Sequence, residues 1–486
     1  MIFLKLIATS GTVKMNKKAN TFIKDFSFTL TSNLVSLLVS TLVILIVPKL
    51  IGVDEYGYWQ LYLFYASYVG FMQFGWNDGI YLRYGGCEYR ELDKQLFFSQ
   101  FWMLAISQIF LASIITLLSL AFLKQEQTQF ILIMVALCII LMGTRAMPLF
   151  ILQATNRIKD YAHITIMDRI LYSGIIILFL LFGVREYKLM IVADLIGKFI
   201  SLLYAIYCCK DMTFRKISTF YFSLKETFEN INVGIKLMFA NIASMLIIGI
   251  VRFGIERSWD MATFGKVSLT LSVSNLMMLF INAVGIIMFP ILRRTDEKML
   301  PKIYITMRDF LMVILLGALI VYYPLRVILS AWLPKYADSL MYMALVFPMC
   351  VYEGKMALLI NTYLKTLRKE KLMLKINLIS LAISIMSTFA TTVLFKDLNL
   401  AIASIVVFLA FRCALAEMFL SKILKISLYK DIFLELMMTL IFILTGWFIY
   451  SWLVVLLYAM AYILYLVIKR KDITKTIKHI KLLMKA

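Results

Sequence analysis

Two histidines and six cysteines in 486 residues leave little with which to hold a metal or run redox chemistry. His163 and His479 have no metal-ligating partner near them, and Cys87, Cys138, Cys208, Cys209, Cys350 and Cys413 show no metal or disulfide spacing. These cysteines read as small apolar packing residues, so no metal and no cofactor is expected. No phosphate-binding loop of the nucleotide-hydrolysing type occurs, which argues against ATP use. Charge is scarce as well. Charged residues make up 16% of the chain against 62% hydrophobic, with a mean hydropathy of +0.88, leaving little for a soluble domain. The scarcity falls mostly on one sign: 28 Asp and Glu face 50 Lys and Arg, a net charge of +22.

What the chain has in abundance is apolar runs. Spans of membrane-crossing length occur near residues 25–47, 58–76, 97–123, 129–151, 163–183, 189–208, 231–255, 263–290, 308–329, 339–361, 374–395, 399–420, 434–450 and 452–468. With the N-terminus inside, 34 of the 50 Lys and Arg fall in or border the eight inside segments. Eight fall in or border the seven outside connections, and eight lie deeper within spans. By the positive-inside rule both termini are cytoplasmic. This distribution explains the net charge through topology and contact with anionic lipid headgroups and disfavours nucleic acid as a partner. The outside connections, such as Pro48–Gly57, Lys124–Thr128 and Val184–Lys188, are too short for a catalytic domain, so no enzymatic activity is expected.

The expected fold is an all-α polytopic membrane protein of about 14 transmembrane helices, with two six-helix lobes as parallel pseudo-repeats and two C-terminal helices. Residues 1–24 form a cytoplasmic N-terminal segment. The short apolar run Leu4–Ala8 precedes Lys14, Lys17 and Lys18, the reverse of a signal peptide, and Met15 is an alternative start. The N-lobe covers 25–208, a cytoplasmic linker 209–230, the C-lobe 231–420, the last two spans 421–468 and a basic amphipathic tail 469–486. At an offset of 208, Asn33/Asn241, Ser36/Ser244, Leu38/Leu246, Val43/Val251, Gly57/Gly265 and Leu61/Leu269 are identical, with Lys49/Arg257 and Tyr56/Phe264 similar. Both copies enter the membrane from the same side, as in transporters whose substrate sits between parallel repeats.

Arg145, Arg169, Lys198, Lys236, Arg252, Arg326, Lys355 and Arg412 lie within spans. At the bilayer centre each costs roughly 2.5–3.5 kcal/mol. Local pairing accounts for some: Asp194 with Lys198 and Arg252 with Glu256 are four residues apart on one helix. Carboxylates deep in spans are fewer (Asp168, Asp194, Glu353, Glu417), so a cavity lined by Arg252, Lys198, Arg145, Lys236, Lys355 and Arg412 is expected to be positive and to suit an anion such as a diphosphate. After the second span, Asn77 and Asp78 suit a helix cap, and Arg83 stands where a phosphate would meet the inner mouth.

Pro48–Gly57, Asn77–Gly86 and the stretch from Asn241 through Arg252–Glu256 to Phe264–Gly265 and Phe289–Pro290 resemble polysaccharide or O-antigen flippases of the multidrug/oligosaccharidyl-lipid/polysaccharide exporter superfamily. The resemblance implies two lobes around a central cationic cavity open alternately to either side of a bacterial inner membrane. It implies as cargo a polyprenyl-diphosphate-linked oligosaccharide. Membrane lipids and the polymerase machinery are further expected partners, and a monomer is expected. A proton, sodium ion or the membrane potential is left open as the driving force. A multidrug cation exporter of the same superfamily is disfavoured because Phe26–Val47 holds no carboxylate, and a polymerase or ligase because no large outer loop exists.

Overall fold

The computed structural model describes residues 38–293, 299–449 and 453–483, with side chains placed for 38–278, 299–449 and 453–476. Segment 1–24, the first half of the first span, the repeat positions Asn33 and Ser36, and the side chains of Phe289–Pro290 and of the tail beyond Thr476 lie outside these residues.

All secondary structure among the described residues is helical. In hydrocarbon a helix satisfies its backbone within one segment, which is why an apolar chain of this composition takes no other form. In chain order the helices are α1 (Leu38–Leu50), α2 (Val53–Ala66), α3 (Trp76–Tyr84), α4 (Lys94–Phe122), α5 (Glu126–Ala154), α6 (Ile158–Leu181), α7 (Tyr187–Cys208), α8 (Leu224–Ser258), α9 (Met261–Arg293), α10 (Leu300–Trp332), α11 (Ser339–Thr366), α12 (Glu370–Leu394), α13 (Leu398–Leu424), α14 (Tyr429–Phe448), α15 (Leu453–Ile468) and α16 (Arg470–Leu483). Ten are long and apolar enough to cross a membrane by themselves, eleven if the bent pair α15–α16 counts as one span. The other expected spans fall on the short apolar α1, on α9 and on the pair α2–α3.

Polar residues start the helices where the sequence leaves the membrane. Asp93 accepts from the amides of Gln95 and Leu96 at 2.9 and 3.1 Å to cap α4, and Asp397 caps α13 through Asn399 and Leu400 at 2.8 and 3.1 Å. Helices α2–α7 pack on one another, as do α8–α13, giving two lobes; α14, α15 and α16 lie against the second lobe through α10 and α11. The turns after α3, α5, α7, α11 and α13, with the residues that flank them, are richer in lysine and arginine than the turns at the other end and define a basic end of the bundle.

Two sequence expectations need correction. The span 58–76 is broken: after α2 comes a 3₁₀ turn, Val69–Gln73, and then two successive left-handed residues, Phe74 (φ 52°) and Gly75 (φ 78°). A left-handed phenylalanine carries a steric cost that glycine avoids, and the pair redirects the chain into α3. The linker 209–230 is also shorter than expected. A helical turn at Lys210–Thr213 and a 3₁₀ turn at Ile217–Thr219 occupy its first part, and α8 has already begun at Leu224.

Candidate functional site

The break at residues 67–75 lets one span join two different helices of the opposite lobe. Its first half, α2, packs on α9 away from the basic end, and its second half, α3, packs on α8 at the basic end. Both seams are made at glycine. A Cβ on Gly57 would sit 2.2 Å from the Met261 carbonyl oxygen, and one on Gly265 would sit 2.9 Å from the Gly57 Cα. At the basic end, a Cβ on Gly79 would lie 1.8 Å from the Asn230 carbonyl oxygen and one on Gly234 would lie 2.0 Å from that of Gly75. Any side chain there would keep the backbones apart. A cavity of about 250 Å³ lies beside the break, with Gln73, Trp76, Gln108 and Ile231 among its lining residues.

Side chains add contacts at both ends. Away from the basic end, Lys49 Nζ stands 3.0 Å above the ring of Trp332, whose Nε1 donates to the Leu45 carbonyl at 2.9 Å. At the basic end, Arg83 on the last turn of α3 is held by the first turns of α8. Its Nη1 donates to Glu226 Oε1 and Asn230 Oδ1, both at 2.6 Å, and its Nη2 to Glu229 Oε2 at 2.9 Å. The Tyr84 hydroxyl donates to Glu226 at 2.7 Å, and Gln100 reaches the hydroxyls of Ser223 and Thr227 at 2.6 and 3.0 Å. Asn77 and Asp78 do not cap a following helix. Both are already inside the first turn of α3, whose N-cap is Gly75, and Asn77 donates to Gln73 one turn back.

The interior cations divide by their partners. In the first lobe, Arg145 meets Asp168 at 2.9 Å and Ser201 at 2.7 Å, while Lys198 pairs with Asp194, which also accepts from the Tyr62 hydroxyl at 2.6 Å. In the second lobe, Arg412 binds Glu353 at 2.9 Å, Asn377 at 3.0 Å and Ser244 at 2.7 Å. Lys355 is clamped between Glu417 and Glu435, the latter at 2.6 Å. Each of these four cations is buried and neutralised within its own lobe. Lys236 is exposed on α8.

Arg252 behaves differently. The expected pair with Glu256 does not form, because Glu256 turns to Arg257 Nε at 3.1 Å. Arg252 instead projects across the lobe boundary, its guanidinium 4.7 Å from the ring centre of Phe64 on α2 and 5.5 Å from that of Phe264 on α9, with one bond to Ser268 Oγ at 3.0 Å. Its Nε has no hydrogen-bond partner, and among the described residues no carboxylate lies within ion-pair distance. Cation–π contact is a weak substitute for a counter-ion.

Sequence reasoning missed a larger network in the second lobe. Arg308 Nε bonds Glu417 at 2.6 Å and its Nη2 lies 2.5 Å from Glu435, while Tyr304 donates to Glu417 at 3.1 Å. Lys469, at the corner between α15 and α16, joins Asp431 at 2.7 Å and Asp309 and Asp472 at 3.0 Å. Burial disfavours charge on Lys469, but hydrogen bonding to Asp431 and the charge of Asp309 outweigh it and raise its pKa, so the ammonium persists. The network ties α10, α11 and α13 to α14 and the α15–α16 corner. One signal was present in the sequence: Asp431 and Glu435 are four residues apart at the start of α14 and share a face.

A family model described as polysaccharide biosynthesis protein matches residues 46–329, more than half of the chain. No curated protein matches it. Among solved structures, the lipid II flippase MurJ in an inward closed conformation is similar at 13% identity and a TM-score of 0.64, covering 92% of this chain and 99% of its own. A multidrug resistance MATE family transporter of the MOP superfamily in an inward-facing conformation is similar at 12% identity and a TM-score of 0.58, covering 81% and 99%. At such identities the likeness is one of fold. The multi-pass helical fold is thus one that MurJ and this transporter share, and the match over residues 46–329 places the chain in the polysaccharide biosynthesis protein family.

Proposed function

We propose that the protein is a flippase that turns a polyprenyl-diphosphate-linked oligosaccharide from the cytoplasmic to the outer leaflet of a bacterial inner membrane by alternating access. The observation that carries this reading is Arg252, a cation placed between the lobes with no carboxylate in reach among the described residues. A guanidinium so placed lacks a multiply charged oxyanion to satisfy its free donors, and a diphosphate offers one. The positive-inside rule makes the basic end cytoplasmic. The family match to polysaccharide biosynthesis fits a sugar-bearing cargo, and the MurJ fold fits a lipid-linked one. The saccharide and diphosphate would occupy the polar space between lobes while the lipid tail stays in the bilayer.

The test is deletion of the gene in its native host with assay of surface polysaccharide and of lipid-linked intermediates on each membrane face. Loss of surface glycan with repeat units held in the inner leaflet is the expected result. Intact glycan with altered sensitivity to toxic cations would establish a drug exporter instead. Single repeat units delivered outside but not lengthened would establish a polymerase.

A further inference from the structure

We infer that Arg83 is the cytoplasmic docking residue for the substrate's diphosphate, and that Glu226 and Glu229 are a built-in anion that replaces the diphosphate when the basic-end seam closes. This rests on the reading of the substrate as a diphosphate lipid.

Arg83 belongs to the first lobe and both its carboxylates to the second, so the ion cluster exists only while α3 and α8 touch. Among the described residues Arg83 has no ion pair within its own lobe. This sets it apart from its neighbour Lys94, whose partner Asp211, at 3.4 Å, lies just after the first lobe's last span. Separation of the seam therefore strips Arg83 of both carboxylates at once and presents a bare guanidinium at the mouth. A guanidinium fork accepts a carboxylate and a phosphate by the same paired N–H donors. Glu226 already engages the fork in that way, with Oε1 2.6 Å from Nη1 and Oε2 3.3 Å from Nη2. The site is not sealed either: the side chain of Arg83 is 26% exposed and that of Glu229 46%. Exchange with a ligand from the cytoplasmic side needs no unfolding.

The exchange has a direction. While a diphosphate occupies Arg83, the returning carboxylates meet two or more negative charges, and the seam cannot zip at Gly79 and Gly234. Once the diphosphate moves inward to Arg252, which has no carboxylate within ion-pair distance among the described residues, Glu226 and Glu229 can retake Arg83. Closure behind the cargo thus depends on the cargo having left the mouth.

The experiment measures binding of inorganic diphosphate and of farnesyl diphosphate to the full-length protein in nanodiscs. The variants are Glu229→Gln, Glu226→Gln/Glu229→Gln, Arg83→Lys and Arg83→Ala added to the double Gln variant. Removing two competing unit charges a few ångströms from the bound phosphates should tighten binding at least about tenfold in the double variant. Glu229→Gln, the mildest change, should show part of that gain, and Arg83→Ala should erase it, with Arg83→Lys intermediate. Unchanged or weaker binding in the Gln variants, or a gain that survives Arg83→Ala, would overturn the exchange while leaving the flippase reading intact. Displacement of diphosphate by phosphatidylglycerol in the nanodisc would make this a lipid-headgroup site and overturn it too. Absence of diphosphate binding in every variant would remove both this inference and the substrate reading on which it rests.

Discussion

Gly79→Ala should hold the protein open at its basic end. The added methyl would lie 1.8 Å from the Asn230 carbonyl oxygen and 2.5 Å from its carbon, where ordinary contact begins near 3.4 Å. Both atoms are backbone, so no side chain can swing away, and α3 must stand off α8 by more than an ångström. Overpacking of this kind costs about 1–3 kcal/mol. At about 1.4 kcal/mol per tenfold, the ratio of closed to open seam should fall roughly 5- to 150-fold. The change should not harm α3 itself, since alanine is favoured over glycine within a helix by about 0.5–1 kcal/mol. The reporter is Thr227→Cys in a variant lacking the six native cysteines. Thr227 is buried in the closed seam beneath Gln100, so its rate of labelling by an impermeant maleimide follows opening. Gly70→Ala is the control, because nothing lies within 4 Å of the added carbon. Labelling of a folded Gly79→Ala variant at the control rate would refute the seam as a gate.

The same logic run at the other seam reverses the sign. Gly57→Ala places a Cβ 2.2 Å from the Met261 carbonyl oxygen, so it should favour the state open away from the basic end and slow labelling at Thr227→Cys. Glu417→Ala leaves Arg308 and Lys355 buried with one acceptor fewer, and removal of one member of such a set costs about 3–5 kcal/mol; thermal unfolding in detergent should show a midpoint lowered by several degrees. Arg252→Ala strands no carboxylate and should leave that midpoint within a degree or two while abolishing surface glycan, with Arg252→Lys keeping part of it. If Arg252→Ala lowered stability as much as Glu417→Ala, its role would be structural.

Much of the architecture was legible because lipid imposes it: long apolar runs must be helices, and lysines and arginines gather at one end. The break in the second span was not, since Val69–Gly75 is as apolar as its surroundings and only the φ values of Phe74 and Gly75 reveal it. Ion pairs were legible where both partners lie four apart on one helix and form there, as for Asp194 and Lys198. Arg252 and Glu256 have the same spacing and do not pair, because the rings of Phe64 and Phe264 and the side chain of Arg257 compete from outside the helix face. Pairs made between helices, such as Arg145 with Asp168 or Arg412 with Glu353, leave no trace in spacing. The repeat gave one structural clue that gained meaning only in three dimensions. Gly57 and Gly265 are related by the offset of 208, and they touch. Equivalent residues of two parallel repeats can meet only near the axis that relates them, so the seam of α2 and α9 lies on that axis.

The distribution of partners also says which charges can matter to a cycle of lobe movements. Arg145, Lys198, Lys355, Arg308 and Arg412 are ion-paired within one lobe or with the α14 attached to it, so rigid rotation of the lobes leaves those pairs intact. Their carboxylates also cancel the diffuse positive field that a count of cations in the spans suggests. Among the described residues, three cations reach the opposite half of the bundle: Lys49 on Trp332, Arg252 on Phe64, and Arg83 on Glu226 and Glu229. They stand at one end, within the bundle and at the other end. Lobe separation at either end therefore changes the free energy of a single cation, and an anion in transit is attracted most where the seam has just opened. On the proposed reading, a local interaction of this kind selects for a compact, multiply charged headgroup and is indifferent to the sugars beyond it. For the lipid-linked oligosaccharide proposed here, selectivity among glycans would then have to come from neutral polar contacts.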